Sequence, residues 1–305
     1  MTNLTDPIYN DEEAARAYFE GIRWPSGRVC PHCGTVDNSV LLKGKSTRPG
    51  VYKCRDCRKP FSATIGTVYE RSHIPLHKWL LATHLMVSSK KGISAHQLYR
   101  SLGFGSYRTA WFMAMRIREA MREGDLEPMG GEGSIVEVDE TFIGSIKPKA
   151  KAFHHKMKVL SLVERGGKSR SIVVQGIGMA TLVPIVRANL DRETHVMTDE
   201  GTAYRYLKHY FFDHSQVKHR AGEYARGNVS TNTVEGFFSI FKRGMRGVYQ
   251  HCREHHLHRY LAEFDFRYTY REACGTNDAQ RAVKAVQGTI GKRLMLKGFE
   301  AAAAI

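Results

Sequence analysis

The chain has 305 residues, 42% apolar and 25% charged, ordinary globular proportions that exclude a disordered protein and leave room for two or three domains. Lysine and arginine number 46 against 30 aspartates and glutamates, a formal charge of +16 that favours a polyanion such as nucleic acid as partner. The basic residues are scattered over several segments, which argues against an anionic membrane surface. Apolar runs such as "HKWLLATHLMVSS" (77–89) are too short and too often interrupted to span a bilayer. The acidic opening "MTNLTDPIYNDEEAARAYFE" lacks the basic and apolar parts of a signal peptide, so a soluble intracellular protein is expected.

Residues 1–62 hold two Cys-x-x-Cys pairs, "RVCPHCGT" and "YKCRDCRKPFS", with 20 residues between them. Cys30, Cys33, Cys54 and Cys57 can close a tetrahedral Zn²⁺ site in which the ion substitutes for a core that so short a region lacks. Four protein ligands leave no open position, so this zinc is structural. Lys43, Lys45, Arg48, Lys53, Arg55, Arg58 and Lys59 crowd the pairs and offer a face to DNA or simply to solvent. Cys252 and Cys274 remain unpaired by pattern, which suits a reducing compartment.

Residues 63–126 read as helical. Within them "ISAHQLYRSLGFGSYRTAWFMAMRIREAM" (93–121) is a helix, a glycine-bearing turn and a second helix starting near Ser106. That is the outline of a helix-turn-helix, in which Ser106, Tyr107 and Arg108 would face a DNA groove.

After the glycine-rich break "EPMGGEGS" (127–134), a third region is expected over 135–290. "SIVEVDETFIG", "KMKVLSLVER" and "SRSIVVQGIG" predict a three-strand meander, "TLVPIVRANL" a helix, and "THVMTDEG" a further strand. "AYRYLKHYF" and "TNTVEGFFSIFKRG" (231–244) have helical spacing. The order predicts an α/β (α+β) layer architecture.

Asp139, on the first strand, carries a carboxylate that is costly on a sheet face unless it meets water, a base or a metal, and Asp199, at the end of the fourth, sits where active-site residues gather in such sheets; taken singly, either also suits a turn or cap. The 231–244 helix adds a carboxylate and an ammonium to an otherwise aromatic segment. At about 100° per residue, Glu235 and Lys242 fall within about 20° of one another, with Asn232 a turn earlier, so one polar stripe stays open while phenylalanines anchor the rest. Three converging carboxylates repel unless cations intervene, and all-oxygen ligation suits Mg²⁺ or Mn²⁺. Lys242 would contact a DNA phosphate, and Lys218, Arg220, Arg226, Arg243, Arg246, Arg253 and Arg259 make the flanks basic. The histidines at 154, 155 and 251–258 spread around their segments and predict no second metal site.

"VDETFIG", "MTDEG" and "TNTVEGFFSIFKRGMRGVYQHCREHHLHRYLAEFDFRY" resemble, in order and spacing, bacterial insertion-sequence DDE transposases that carry an N-terminal zinc ribbon and a signature lysine after the third acid (DDE-K type). The resemblance covers almost the whole chain. It implies a ribonuclease H-like catalytic core preceded by a zinc ribbon and a helix-turn-helix-like region. It also implies binding of terminal inverted repeats, Mg²⁺- or Mn²⁺-dependent strand cleavage, and transfer of the freed end to target DNA. Asp139, Asp199 and Glu235 become the metal-binding acids, Lys242 the phosphate contact with Arg243 and Arg246 beside it, and Asn232 a neighbouring DNA contact or an alternative third ligand. A homodimer or higher oligomer on DNA and a bacterial, nucleoid-associated cytoplasmic location follow from the same resemblance. The rival readings are a domesticated zinc-ribbon DNA-binding protein without catalysis and a ribonuclease H-like nuclease that cleaves without joining.

Overall fold

A computed structural model describes residues 3–124, 127–144, 156–218 and 225–295. His154, His155, Arg220 and the terminal alanine run lie outside these residues. The chain divides into two compact units, the first comprising residues 1–89, 93–122 and 277–305, the second residues 90–92 and 123–276.

The first unit begins with α1 (Glu12–Arg23), whose start is fixed by Asp11 accepting the Ala14 N–H at 2.7 Å. Ala15 and Phe19, four residues apart, are its buried stripe, and Phe19 meets Tyr69 edge-on at 5.4 Å. A small antiparallel sheet follows in the order β1 (Ser39–Leu41), β2 (Val51–Cys54), β3 (Pro60–Ser62). Helices α2 (Leu76–Ser88), α3 (Ala95–Ser101) and α4 (Tyr107–Met121) complete the amino-terminal part. Ser94 caps α3 by accepting from Gln97 N–H, and Ser106 caps α4 by accepting from Arg108 N–H. The turn between them passes through Gly103 at φ +60°, a left-handed position that a side chain would strain.

The second unit is built on a five-stranded mixed sheet. Its strands are β4 (Ile135–Ile143), β5 (Met157–Glu164), β6 (Ser169–Val174), β7 (His195–Asp199) and β8 (Asp213–Val217), in the order β6-β5-β4-β7-β8. The first three form the expected antiparallel meander, whereas β7 and β8 run parallel to β4. Alternation along β4 sends Val136 and Val138 into a core with Leu160, Leu162 and Val196. That core is closed by Leu182 and Val186 of α5 (Met179–Asn189) and by Tyr204, Leu207 and Phe211. Glu137 and Asp139 necessarily point to the other face. There lie α6 (Asn232–Gly244), entered through the short hairpin β9 (Ala225–Arg226) and β10 (Val229–Ser230), and α7 (Glu254–Thr269). Phe241 of α6 meets Phe264 of α7 edge-on at 5.1 Å.

Two expectations change. "AYRYLKHYF" is not one helix but two 3-10 turns, Thr202–Tyr204 and Leu207–His209, leading into β8. The helical spacing of Tyr204, Leu207 and Phe211 is real, yet it serves to bury one side of a connection. β8, "DHSQV", is a polar edge strand without an apolar alternation to announce it. The second change concerns the last helix, α8 (Asp278–Gln287), expected with the 135–290 region. It packs in the first unit, burying Ala282, Ala285 and Val286, with most of its contacts on α2 and with Arg281 donating to the Val87 carbonyl at 3.1 Å. No helix among the described residues is long and apolar enough to cross a membrane.

Candidate functional site

The four cysteines of the first unit converge, as their spacing requires. Their sulfurs all lie within 4.8 Å of one another, with Cys30 to Cys57 at 3.7 Å and Cys33 to Cys54 at 3.6 Å. Tetrahedral zinc with Zn–S bonds of about 2.3 Å places sulfurs about 3.8 Å apart, so the cluster has the dimensions of a Zn(Cys)₄ site. Two backbone turns build it. Cys30 N–H donates to Thr35 and Gly34 N–H to Cys30, with Gly34 at φ +78°; Cys54 N–H donates to Lys59, with Arg58 at φ +60°. Within the cluster the Cys33 thiol is pulled down to about 6 by the Thr35 hydroxyl and backbone N–H, while Cys57, against a backbone hydrogen bond at Lys59, is pushed up to about 12 by burial and by the neighbouring thiols. Tyr52, Phe61 and Trp24 pack around the buried sulfurs. Lys43, Lys45, Arg48, Lys53, Arg55, Arg58 and Lys59 are all exposed.

Ser106, Tyr107 and Arg108 are likewise exposed at the start of α4, and the Tyr107 ring stacks on His96 of α3 at 4.2 Å. α3, the turn through Gly103 and α4 thus form a helical hairpin.

In the second unit Asp139 and Asp199 stand on adjacent parallel strands. Val138 is in register with Thr198, so the two aspartates are the next pair along, at the carboxyl end of β7. Asp139 accepts from the Glu140 N–H at 2.7 Å and Asp199 from the Gly201 N–H at 2.9 Å, the latter closing the turn out of β7. Glu235, four residues into α6 on the same side of the sheet, accepts from the Thr231 hydroxyl at 2.8 Å. The carboxyl of Asp139 is pushed up to about 8, first by burial, then by the charges of Glu140, Asp199 and Glu235. The three acids are therefore within electrostatic reach, yet among the described residues only the cysteines form a group with all ligand atoms inside 4.8 Å. No group of that kind includes the histidines at 251–258.

The polar stripe of α6 lies open as its spacing predicts. Asn232, Glu235, Ser239 and Arg243 are exposed and Lys242 is half-buried, with its ammonium 5.9 Å from the Phe238 ring centre. Val234, Phe237, Phe238 and Phe241 are buried beneath. Arg246 is exposed in the wider turn Met245–Tyr249 that continues the helix.

Sequence reasoning missed Glu137 and Arg165. Glu137 is fully buried two residues before Asp139 and is ion-paired to Arg165 at 2.6 Å. Its partners lie about 30 and 100 residues away in sequence, so no local pattern marks it.

Comparison with known proteins agrees with this division. Residues 130–269 match the ISXO2-like transposase domain, and residues 10–60 match the transposase zinc-ribbon domain. A protein described as an uncharacterized protein in transposable element ISH50 of Halobacterium salinarum is 28% identical over 278 residues, covering 84% of this chain and 90% of that protein. The zinc-ribbon match thus spans Cys30, Cys33, Cys54 and Cys57, and the transposase-domain match spans Asp139, Asp199 and Glu235.

Proposed function

We propose that this protein is a DNA transposase in which the first unit binds the terminal repeats of an element. The second unit cuts the DNA strand and transfers it, in a reaction that depends on a divalent cation. One observation carries the reading: Asp139, within β4, and Asp199, at the end of its parallel neighbour β7, stand one step beyond a register pair, and the Asp139 carboxyl is raised to about 8 by burial and then by the charges of Glu140, Asp199 and, from the helix on the same face, Glu235. The order of the central sheet, a three-strand antiparallel meander extended by two parallel strands, is consistent with a ribonuclease H-like core.

Mg²⁺ or Mn²⁺ suits an all-oxygen donor set, and the mutual repulsion at Asp139 is what a bound cation would relieve. Asp139, Asp199 and Glu235 would hold it. Bound there, the cation supplies Lewis acidity for the attacking hydroxyl and neutralises the departing oxygen. In cleavage a water oxygen forms the new bond to phosphorus as the 3′-oxygen leaves with the bonding pair. In transfer that 3′-hydroxyl attacks a target phosphodiester and displaces another 3′-oxygen. Lys242, with Arg243 and Arg246 beyond it, grips phosphates alongside, and Asn232 reaches the DNA or orients a ligand acid. The zinc has no chemical role and holds the basic ribbon in shape. Joining two ends calls for at least two copies of the chain on DNA.

The test uses purified full-length protein, a labelled element end, target DNA and Mg²⁺, comparing wild type with Asp199→Ala. Cleaved and joined products from wild type alone, with end binding retained by both, are expected. Equal products from the two proteins would sink the assignment, and cleavage without joining would favour a nuclease.

A further inference from the structure

Helix α6 has an unusual amino-terminal cap. Its N-cap residue, Thr231, turns its hydroxyl to Glu235 rather than to the free N–H groups of the first turn. Those groups are met from the sheet: Glu137 Oε2 accepts from Thr233 N–H at 2.7 Å and from Val234 N–H at 3.0 Å. Its other oxygen accepts from the Thr233 hydroxyl at 2.9 Å and from Arg165 Nε at 2.6 Å. Four donors saturate this carboxylate, so it is not itself a metal ligand. Arg165 reaches further, donating from Nη1 to the Asn228 carbonyl and side chain, both at 2.8 Å. From Nη2 it donates to the Ser230 carbonyl at 3.1 Å and hydroxyl at 2.8 Å.

A local Asp or Ser cap would satisfy a helix end at the surface without burying a charge. Here the cap is a wholly buried glutamate, costly to desolvate and tolerable only because each lone pair is used. What this placement adds is geometry. Glu137 and Asp139 share one face of β4, about 6.6 Å apart along the strand, and Val234 directly precedes Glu235. The same carboxylate therefore grips the strand that carries one acid and the helix turn that carries another.

We propose that Glu137, braced by Arg165, is a positioning residue that caps α6 from the sheet and so fixes Glu235 relative to Asp139. The inference rests on the proposed function for the role of those two acids.

The experiment uses the zinc-loaded full-length chain and the variant Glu137→Gln, whose amide nitrogen replaces one of the two oxygens and so faces two of the four donors now satisfied. Amide hydrogen exchange is read over Thr233 and Val234, and Mn²⁺ binding is followed by electron paramagnetic resonance, with Asp199→Ala as the control that loses the ion. Expected is at least a tenfold loss of protection at Thr233 and Val234, with β4 and the Phe237–Phe241 turn unaltered. Mn²⁺ binding should weaken about 10–100-fold, the usual scale for residues that orient ligands. Unchanged protection, or lost protection with Mn²⁺ affinity unchanged, overturns the proposal. If wild type binds no Mn²⁺ beyond the Asp199→Ala level, the functional reading fails instead, and amide protection alone decides whether Glu137 holds the helix. Should Glu137→Gln not fold, Arg165→Lys is read in the same way. It keeps a cation beside Glu137 but drops the fork to Asn228 and Ser230, so a smaller loss confined to the same amides is expected, and none would overturn the role of Arg165.

Discussion

Asp139 and Asp199 stand side by side on β4 and β7, one step beyond the Val138–Thr198 register pair. Burial, and then the charges of Glu140, Asp199 and Glu235, hold the Asp139 carboxyl at about 8. Asp139→Asn should therefore separate stability from chemistry. Strand cleavage is expected to fall about a thousandfold, the scale of losing a main charge stabiliser of roughly 4 kcal/mol. The melting temperature of the metal-free protein at pH 8 should meanwhile hold or rise, because a buried repulsive charge has gone. Melting curves and cleavage assays on one preparation check both; a variant that loses both together would point to a structural role only.

Removing zinc should act on the first unit alone. Structural Zn²⁺ contributes on the order of 10–16 kcal/mol in small ribbons, far more than three short strands supply. Cys33→Ser, or chelation, is expected to release one equivalent of zinc and abolish protection of β2 amides. The second unit's sheet should keep its exchange pattern, and loss of element-end binding at physiological salt should accompany the change.

The zinc cluster was legible because its ligands are chemically distinctive and close in sequence. The meander and α5, β7 and α6 were legible because each half-buried element writes its own period into the chain. β8 was not, since a polar edge strand has no apolar face to write, and the 3-10 turns before it bury Tyr204, Leu207 and Phe211 at helix-like intervals. α8 has a clear capping box and an apolar stripe, but nothing in those ten residues says that the stripe meets α2 across some 200 residues of chain. Glu137 illustrates the same limit within the site. In sequence it is the polar alternate of Val136 and Val138, and only the fold brings Arg165 and Thr233 to it.

Binding should divide between two kinds of contact. Arg108 is exposed on the first turn of α4, beside the stacked Tyr107 and His96. If it reads a base edge, Arg108→Ala costs about 1–3 kcal/mol on the cognate end and relaxes preference at one position. Lys242→Ala, removing a phosphate contact, should weaken binding to all sequences alike and lower the salt slope by about 1. Titrations of specific and scrambled duplexes at several salt concentrations distinguish the two, and a uniform loss from Arg108→Ala would reassign it to the backbone.

A last prediction concerns Asp265 of α7, which ties that helix to β6. Its oxygens accept from Ser171 N–H and hydroxyl, both at 2.8 Å. Burial nevertheless pushes its carboxyl up to about 7, opposed by the hydrogen bonds from Ser171 and reinforced by the charge of Glu123. In the unfolded chain the group ionises near 4, so between pH 4 and 7 the folded state holds the extra proton. Its contribution to stability is thus present in full below about pH 4 and is lost as pH rises through about 7. Asp265→Asn keeps an acceptor for the Ser171 N–H and offers a donor to the Ser171 hydroxyl, without the titration. Denaturant melts at pH 4.5 and 8 should show wild type losing stability between them at this site while Asp265→Asn changes less, with the variant at least equal to wild type at pH 8. A variant less stable at pH 8 would mean that the charge-assisted bonds from Ser171 outweigh the cost of burying the carboxylate.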